Sequence, residues 1–240
     1  MNVLIPLAGK GSRFANSGYD FPKPLIDILG KPMIVRAIES LDLEGNYHFV
    51  LRKNDTLEPT REALLSIKPD ARIIEIDYVT DGPACTANLF REFINNDEEL
   101  IIANCDQIME WNSENFLYNV RNYDGAVVTY HSDTDKNSYA EITSKGLVKR
   151  IREKEVISNV SLNGIHYWKR GRHFVDSYDT MIDQNDRAPN GEFYIGPSYN
   201  YMIQSDLKVG IYHIPNQCHH PVGVPYDLEK YLEYAKSKII

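Results

Sequence analysis

Along the first hundred residues, short apolar runs alternate with segments of helical spacing. Strands are predicted at Asn2 to Ala8, His48 to Arg52, Arg72 to Ile76 and Leu100 to Asn104. Helical periodicity fills the gaps at Pro32 to Leu41, Leu57 to Ile67 and Pro83 to Ile94, where Pro83 suits a first helical turn. The order β-α-β-α-β-α-β predicts crossover units on a mostly parallel, buried sheet. After Asp106 the pattern changes to strands at Gly125 to His131, Ser138 to Thr143, Leu147 to Ile151 and Val160 to Tyr167. The tight-turn signal Ser144-Lys145-Gly146 makes this part antiparallel or mixed. Helices near Arg172 to Gln184 and Ile195 to Gln204, a strand at Lys208 to His213 and a terminal helix from about Pro225 complete the reading. No repeat, low-complexity tract or linker interrupts it, so one continuous α/β domain over 1–240, Rossmann-like with a smaller mixed second half, is expected.

Composition narrows the classes. The 240 residues carry 34 acidic and 26 basic side chains, a net charge of −8, with 42% hydrophobic and 25% charged residues. That balance excludes a nucleic-acid arm, a disordered tail and a collagen-like repeat. No window approaches the roughly 18 to 20 apolar residues of a membrane span, and Cys85, Cys105 and Cys218 have no CxxC spacing. A cytoplasmic protein with reduced thiols, binding neither nucleic acid nor membrane, is expected.

The first strand runs into Gly9-Lys10-Gly11-Ser12-Arg13. A glycine-rich loop after a strand is how open α/β sheets hold phosphate at their carboxyl edge, through inward-turned N–H groups. Ser12 adds a donor and Arg13 a permanently charged fork. Phe14 stands where a third glycine would complete GxGxxG, and no P-loop pattern occurs. Further on, prolines flank Lys23 in Pro22-Lys23-Pro24-Leu25, which fixes the backbone and is expected to deny it a helix, holding the ammonium in place. Residues 1–31 contain four bases (Lys10, Arg13, Lys23, Lys31) against two acids (Asp20, Asp27), a local excess that draws an anionic ligand to this end of an acidic chain.

Asp106 follows the fourth apolar run, where a carboxylate at the end of a buried strand can bridge a hard cation to phosphates. The position equally suits the cap of a following helix. Cys218-His219-His220 invites zinc, although consecutive residues need a distant fourth ligand to close such a site. Asn190-Gly191-Glu192-Phe193-Tyr194 reads either as a pocket wall or as a surface turn, and His166 and Trp168 read as packing or wall residues on an alternating strand.

Taken together, Leu7-Ala8-Gly9-Lys10-Gly11-Ser12-Arg13-Phe14, then PKPL at 22–25 and GKPM at 30–33, resemble the opening of the sugar-phosphate nucleotidylyltransferases, relatives of glucose-1-phosphate thymidylyltransferase and mannose-1-phosphate guanylyltransferase. The likeness continues through Asp81 to Ala87, Ala103 to Asp106, and Gly146 to Lys154 with Asn163 to Trp168. It implies the nucleotide-diphospho-sugar transferase fold, with a nucleotide half at about 1–110 and an acceptor half at about 111–240. It also implies transfer of a nucleoside monophosphate to a small phosphorylated acceptor, a sugar 1-phosphate above all, for surface polysaccharide synthesis. By the same likeness Arg13 and Lys23 are catalytic. Leu7, Ala8, Gly9, Lys10, Gly11, Ser12, Thr80, Gly82, Ala84 and Thr86 bind nucleotide alongside them. Glu153, Lys154, Asn163, Gly164, Glu192 and Tyr194 bind the acceptor, and Asp106 holds Mg²⁺ or Mn²⁺. A homodimer is a candidate assembly.

The resemblance departs at the second metal aspartate of the D-x-G-T-P stretch, where this chain has Pro221: either Asp106 and the phosphates alone hold the ion, or His220 or another side chain substitutes, or the chemistry has drifted. Two other readings share these motifs. One is a cytidylyltransferase using a non-sugar phosphate such as phosphocholine. The other is a metal-dependent glycosyltransferase, although Asp106-Gln107-Ile108 lacks the second acid of its D-x-D pair.

Overall fold

The computed structural model describes residues 1–9, 14, 17–19, 22–54 and 56–238. Its centre is a nine-stranded sheet. The first four large strands, β1 (Asn2–Pro6), β4 (Asn46–Arg52), β5 (Arg72–Ile76) and β6 (Leu100–Ala103), are apolar runs that pair in parallel in the order β6-β1-β4-β5. The chain winds outward from β1 to β5, then returns to the other side of β1. The carboxyl ends of β1 and β6 therefore flank a topological switch point, the crevice where open α/β sheets bind ligands.

Helices α1 (Met33–Leu41) and α2 (Leu57–Ile67) link the parallel strands. The expected helix 83–94 is divided into α3 (Pro83–Asn88) and α4 (Arg91–Ile94). The N–H groups of Leu89 and Phe90 donate to Thr86 and Ala87, a three-residue step that breaks the α-helical ladder and lets Phe90 pack at 4.9 Å on His48.

The second half supplies β8 (Gly125–His131), β9 (Ser138–Ile142), β10 (Val148–Glu153), β11 (Val160–Trp168) and β12 (Val209–His213). As expected it is mixed: β11 runs antiparallel to β6, β8 and β9, while β12 runs parallel to β8. Helices α6 (Gly171–Asp183) and α7 (Ile195–Gln204) cover one face. Strand β10 lies at the sheet's edge, and Asn200 of α7 closes it: its side chain accepts from the N–H of Ile151 at 2.8 Å and donates to the carbonyl at 3.0 Å. Helix α5 (Ser113–Val120), capped by Asn112, escaped the hydrophobic pattern because few of its residues, chiefly Phe116 and Val120, reach the core.

Alternation along the strands divides the core in two. Leu4, Leu100 and Ile102 face α3, α6 and α7, whereas Val3, Ile5 and Ile101 face α1, α2 and α5. A third, smaller core joins distant parts of the chain. Phe14, the hairpin strands β2 (Asp27–Ile28) and β3 (Lys31–Pro32), α1, the short antiparallel pair β7 (Gln107–Met109) and β13 (His219–Pro221), and the terminal helix α8 (Pro225–Ser237) meet around Ile26, Ile28, Ile108, Val222 and Leu228. Among the described residues no helix is long and apolar enough to cross a membrane.

Two core histidines set an acid limit. Burial lowers His48, helped by Arg72, to about 4, and burial alone lowers His166, beside the stacked Trp168–Tyr199 pair, to about 3. Both are neutral in the fold and protonate near 6.5 once unfolded, so their contribution is complete above pH 6.5 and is lost as pH falls through 4 toward 3. At ~1.4 kcal/mol per pKa unit the loss is of the order of several kcal/mol. The urea midpoint should therefore drop steadily below pH 6.5, and His166→Phe, which stacks similarly but does not titrate, should flatten the descent. An identical slope in wild type and variant would count against the assignment.

Candidate active site

The switch point gathers the first group of predicted residues. Leu7 donates its N–H to Val50 at 2.9 Å, which extends β1 toward the crevice, and Ala8 is buried beneath Gly9. Lys10, Gly11, Ser12 and Arg13 lie outside the described residues.

Lys23 sits at the start of a single 3₁₀ turn, Lys23–Leu25, with the N–H of Leu25 donated to Pro22 at 2.8 Å. The prolines exclude a longer helix but not this turn, because Pro22 precedes it and the missing donor of Pro24 falls among groups unpaired at any helix start. From this rigid base the Lys23 ammonium donates to Asp106 Oδ2 at 2.6 Å, 83 residues away in sequence.

Asp106 does not cap a helix. It lies in the bend between β6 and β7, and its carbonyl accepts from Val222 at 2.8 Å in continuation of the β7–β13 pairing. Its carboxylate lies against Gly223, where an added Cβ would stand 2.7 Å from Oδ2. The carboxylate is thus held between a glycine and a lysine.

His220 is not brought to Asp106. Its ring stacks on Tyr234 at 4.5 Å, lies 5.3 Å from Tyr231, and places Nε2 3.5 Å from Glu110. The cause is strand alternation: His219, one residue earlier, points the other way, onto Tyr130 and Gln107 Oε1. Pro221 lies in β13 opposite Gln107. Sequence reasoning missed the next acid, Asp227 in the first turn of α8, whose pKa is raised by burial and by the charge of Asp106 against the opposing pull of Lys230 and Lys136.

Among the described residues no group of three or more His, Cys, Asp or Glu side chains could hold a metal, which removes the zinc reading of Cys218, His219 and His220. One carboxylate at the mouth of the switch-point crevice still fits Mg²⁺, which keeps several waters and is commonly bound through one or two carboxylates plus substrate phosphates. Cys105, beside Asp106, is pushed by burial and by that neighbouring charge to about 12, so its thiol stays protonated and offers no thiolate ligand.

Thr80, Gly82, Ala84 and Thr86 form one turn. The Thr80 and Thr86 hydroxyls share a hydrogen bond at 2.6 Å, and whichever accepts it donates its own proton to the Gly82 carbonyl. Gly82 has φ +130 and packs so closely on Phe193 that a Cβ would fall 2.4 Å from its carbonyl oxygen. The Ala84 N–H donates to Phe193, and the Phe193 N–H to Asp81. Ala84 is fully buried and Thr86 nearly so; with the buried Gly82 they hold the turn from behind, and its open face belongs to Thr80 and Asp81.

The predicted acceptor residues divide. Glu153, Lys154, Glu192 and Tyr194 do converge. Glu153 ends β10 almost buried, accepts from the Ser138 hydroxyl, and has its pKa raised by burial. Lys154 has φ +56, which turns its ammonium onto Tyr194: Nζ donates to the phenol at 2.8 Å. Burial opposes the Lys154 charge, but Tyr194, Glu153 and Glu192 more than offset it and raise its pKa. Asn190 donates to both Glu192 and the Tyr194 oxygen at 3.0 Å, and the Gly191 N–H donates to Ala188 at 2.8 Å, so the stretch is an exposed turn braced by its own hydrogen bonds.

Asn163 and Gly164 do not join them. Asn163 is buried, with its oxygen accepting from Ile165 and its amide toward the Met109 sulfur. Gly164, at φ +89, leaves room for the Asn104 side chain, 2.1 Å from where a Cβ would stand, and thereby supports the strand end before Asp106. The structure adds Lys136, on the β8–β9 loop whose Asn137 carbonyl accepts from the Lys154 N–H at 2.9 Å and whose charge acts on Asp227. No short motif surrounds Lys136, so only the fold could reveal it.

Comparison with known proteins identifies the family and the fold. The chain is 23% identical over 244 residues to the bifunctional protein GlmU of Methanocaldococcus jannaschii, covering all of this chain and 55% of that one. It is 27% identical over 178 residues to the mannose-1-phosphate guanyltransferase of Schizosaccharomyces pombe, covering 69% of this chain and 49% of that protein. The chain thus spans about half the length of these curated relatives. Among solved structures, the nucleoside-diphosphate-sugar pyrophosphorylase of Vibrio cholerae superposes with a TM-score of 0.84 at 21% identity, over 96% of this chain and 99% of that one, and has the same fold. The nucleotidyl transferase family model matches residues 3–190, most of the chain, and this protein belongs to that family.

Proposed function

We propose that the chain transfers a nucleoside monophosphate from a nucleoside triphosphate to a small phosphorylated acceptor, a sugar 1-phosphate above all, and releases pyrophosphate. The observation that carries this reading is the Lys23–Asp106 pair at the switch point, with the Glu153, Lys154 and Tyr194 cluster available for a second substrate. Family membership supports the reaction type.

The attacking phosphate oxygen is already ionised at neutral pH, so no general base is needed. Catalysis consists of bringing two anions into line and neutralising charge on the transferring and leaving groups. In this reading Lys23 shares its ammonium between Asp106 and the triphosphate, and the basic glycine loop, Arg13 included, grips the phosphate tail. The Thr80–Gly82 turn receives the base, Lys154 receives the acceptor phosphate, and Glu153 and Glu192 receive its hydroxyls. Asp106 would hold Mg²⁺ or Mn²⁺, which when bound supplies further positive charge to the phosphates. The product would be an activated nucleotide sugar for surface polysaccharide assembly in the cytoplasm.

A matrix of the common triphosphates against sugar and non-sugar phosphates with Mg²⁺, read by pyrophosphate release, tests the proposal. A glycosyltransferase releases none, and activity confined to phosphocholine would favour the non-sugar acceptor. Within an active pair, Lys154→Ala should raise the acceptor KM at least ~10-fold, consistent with losing a charged hydrogen bond, and leave the triphosphate KM nearly unchanged. Equal effects on both would move Lys154 out of the acceptor site.

A further inference from the structure

A cavity of about 580 Å³ opens outside the Lys23–Asp106 crevice, between the edge strand β10 and the segment joining α6 to α7. Lys149, Arg150 and Arg152 line it from the strand and Arg187 from the opposite side, against a single lining acid, Asp186. None of the residues placed above in the nucleotide, acceptor or metal sites lines it. Its volume falls in the range of small-molecule sites. We propose that it is a second site, for a phosphorylated small molecule, and that its occupancy is transmitted to the Thr80–Gly82 turn.

The bonding of the lining residues supports an anion. Asp186 is already engaged by the Tyr201 hydroxyl at 2.8 Å. Glu141 takes the Lys149 ammonium at 2.8 Å and Arg150 only through Nε, at 2.6 Å. Both terminal nitrogens of Arg150 are left without a hydrogen-bond acceptor among the described residues, and Arg152 meets only Glu155, at 4.0 Å. These exposed pairs are solvated and weak, so they present little resistance to a phosphate gripped by two arginine forks. The amide of Asn200 is fixed on Ile151 and holds the strand that carries the forks. A concave site of this size in a chain of net charge −8 suits a small anion and not a polyanion.

Arg187 supplies the transmission. Its Nε donates to Asn185 Oδ1 at 2.8 Å, Nη1 to the Gly191 carbonyl at 2.7 Å and Nη2 to Asp81 Oδ2 at 3.0 Å, with the guanidinium 4.1 Å over the Phe193 ring. Asp81 and Phe193 are the residues that hold Gly82 and Ala84, and Gly191 precedes Glu192. An anion drawing Arg187 toward the cavity competes with Asp81 and loosens this clamp. Binding at the cavity is independent of the proposed function; only the transmission rests on it.

Calorimetric titration with inorganic pyrophosphate separates the two. Wild type should show two binding events. Arg150→Ala/Arg152→Ala should weaken one of them at least 10-fold, with unchanged thermal unfolding and unchanged basal turnover. Lys23→Ala should remove the other. A double variant with the wild-type isotherm overturns the second site, whereas a Lys23→Ala variant with the wild-type isotherm counts only against the Lys23 crevice. For transmission, added inorganic phosphate should change the triphosphate KM at least twofold more in wild type than in the double variant, which keeps only direct competition at the Lys23 crevice. Equal responses in both, or none in either, overturn the coupling.

Discussion

Lys23→Ala should lower turnover at least ~100-fold, the scale of losing one charge contact to the transferring phosphates, while far-ultraviolet circular dichroism and thermal unfolding stay close to wild type. The stability half of this expectation follows from exposure. The Lys23 and Asp106 side chains keep 20% and 34% of their surface, so their ion pair is solvated and contributes little to folding. The catalytic half follows from rigidity. The 3₁₀ turn fixes the lysine stem, and the ammonium is already positioned before any substrate arrives. Lys23→Arg distinguishes charge from geometry: the planar guanidinium keeps the charge but cannot reproduce the Nζ position, so recovery should be partial. Unchanged turnover in Lys23→Ala would remove Lys23 from the reaction.

Asp106→Asn should have the larger effect, because it touches two partners at once. The neutral amide no longer balances the Lys23 ammonium, and it is a poor ligand for a hard cation that prefers carboxylate oxygen. Activity should fall to near background and the residual rate should lose its dependence on Mg²⁺ concentration. The substitution is isosteric, so the close approach of Gly223 and the β7–β13 pairing should survive. Full activity with a normal metal response would exclude Asp106 as the ligand. In Lys23→Ala the residual rate should still respond to Mg²⁺, a contrast that separates the two roles even though their side chains touch.

The parts of this fold that were legible in the sequence are those where local pattern and burial agree. Arg72 to Ile76 and Leu57 to Ile67 have the predicted limits, because each is a periodic run between polar boundaries. Helix α5 and the two-residue strands of the 27–32 hairpin were not legible, since short elements bury too few residues to leave a period. The site divides in the same way. Lys23, Asp106, Glu153, Lys154 and Tyr194 stand in motifs and come together in two groups, the Lys23–Asp106 pair and the Glu153, Lys154 and Tyr194 cluster. His220 was chosen by adjacency along the chain, but in a strand adjacency sends side chains to opposite faces. Asn163 was chosen from a motif whose backbone matters more than its side chain, which is buried against Met109. Lys136 and Asp227 belong to elements far apart in sequence, and their nearness is purely tertiary.

The small third core has a kinetic consequence. It lies beside the lysine-bearing turn and the aspartate-bearing bend, and among the described residues it is assembled from Phe14, Ile26, Ile28, Met33, Ala37, Ile108, Val222 and Leu228. Contacts of such wide sequence separation close late, after the local crossover units have formed. On refolding from denaturant, helical ellipticity should return before ligand-binding competence, and the lag between them measures the docking of the last helix.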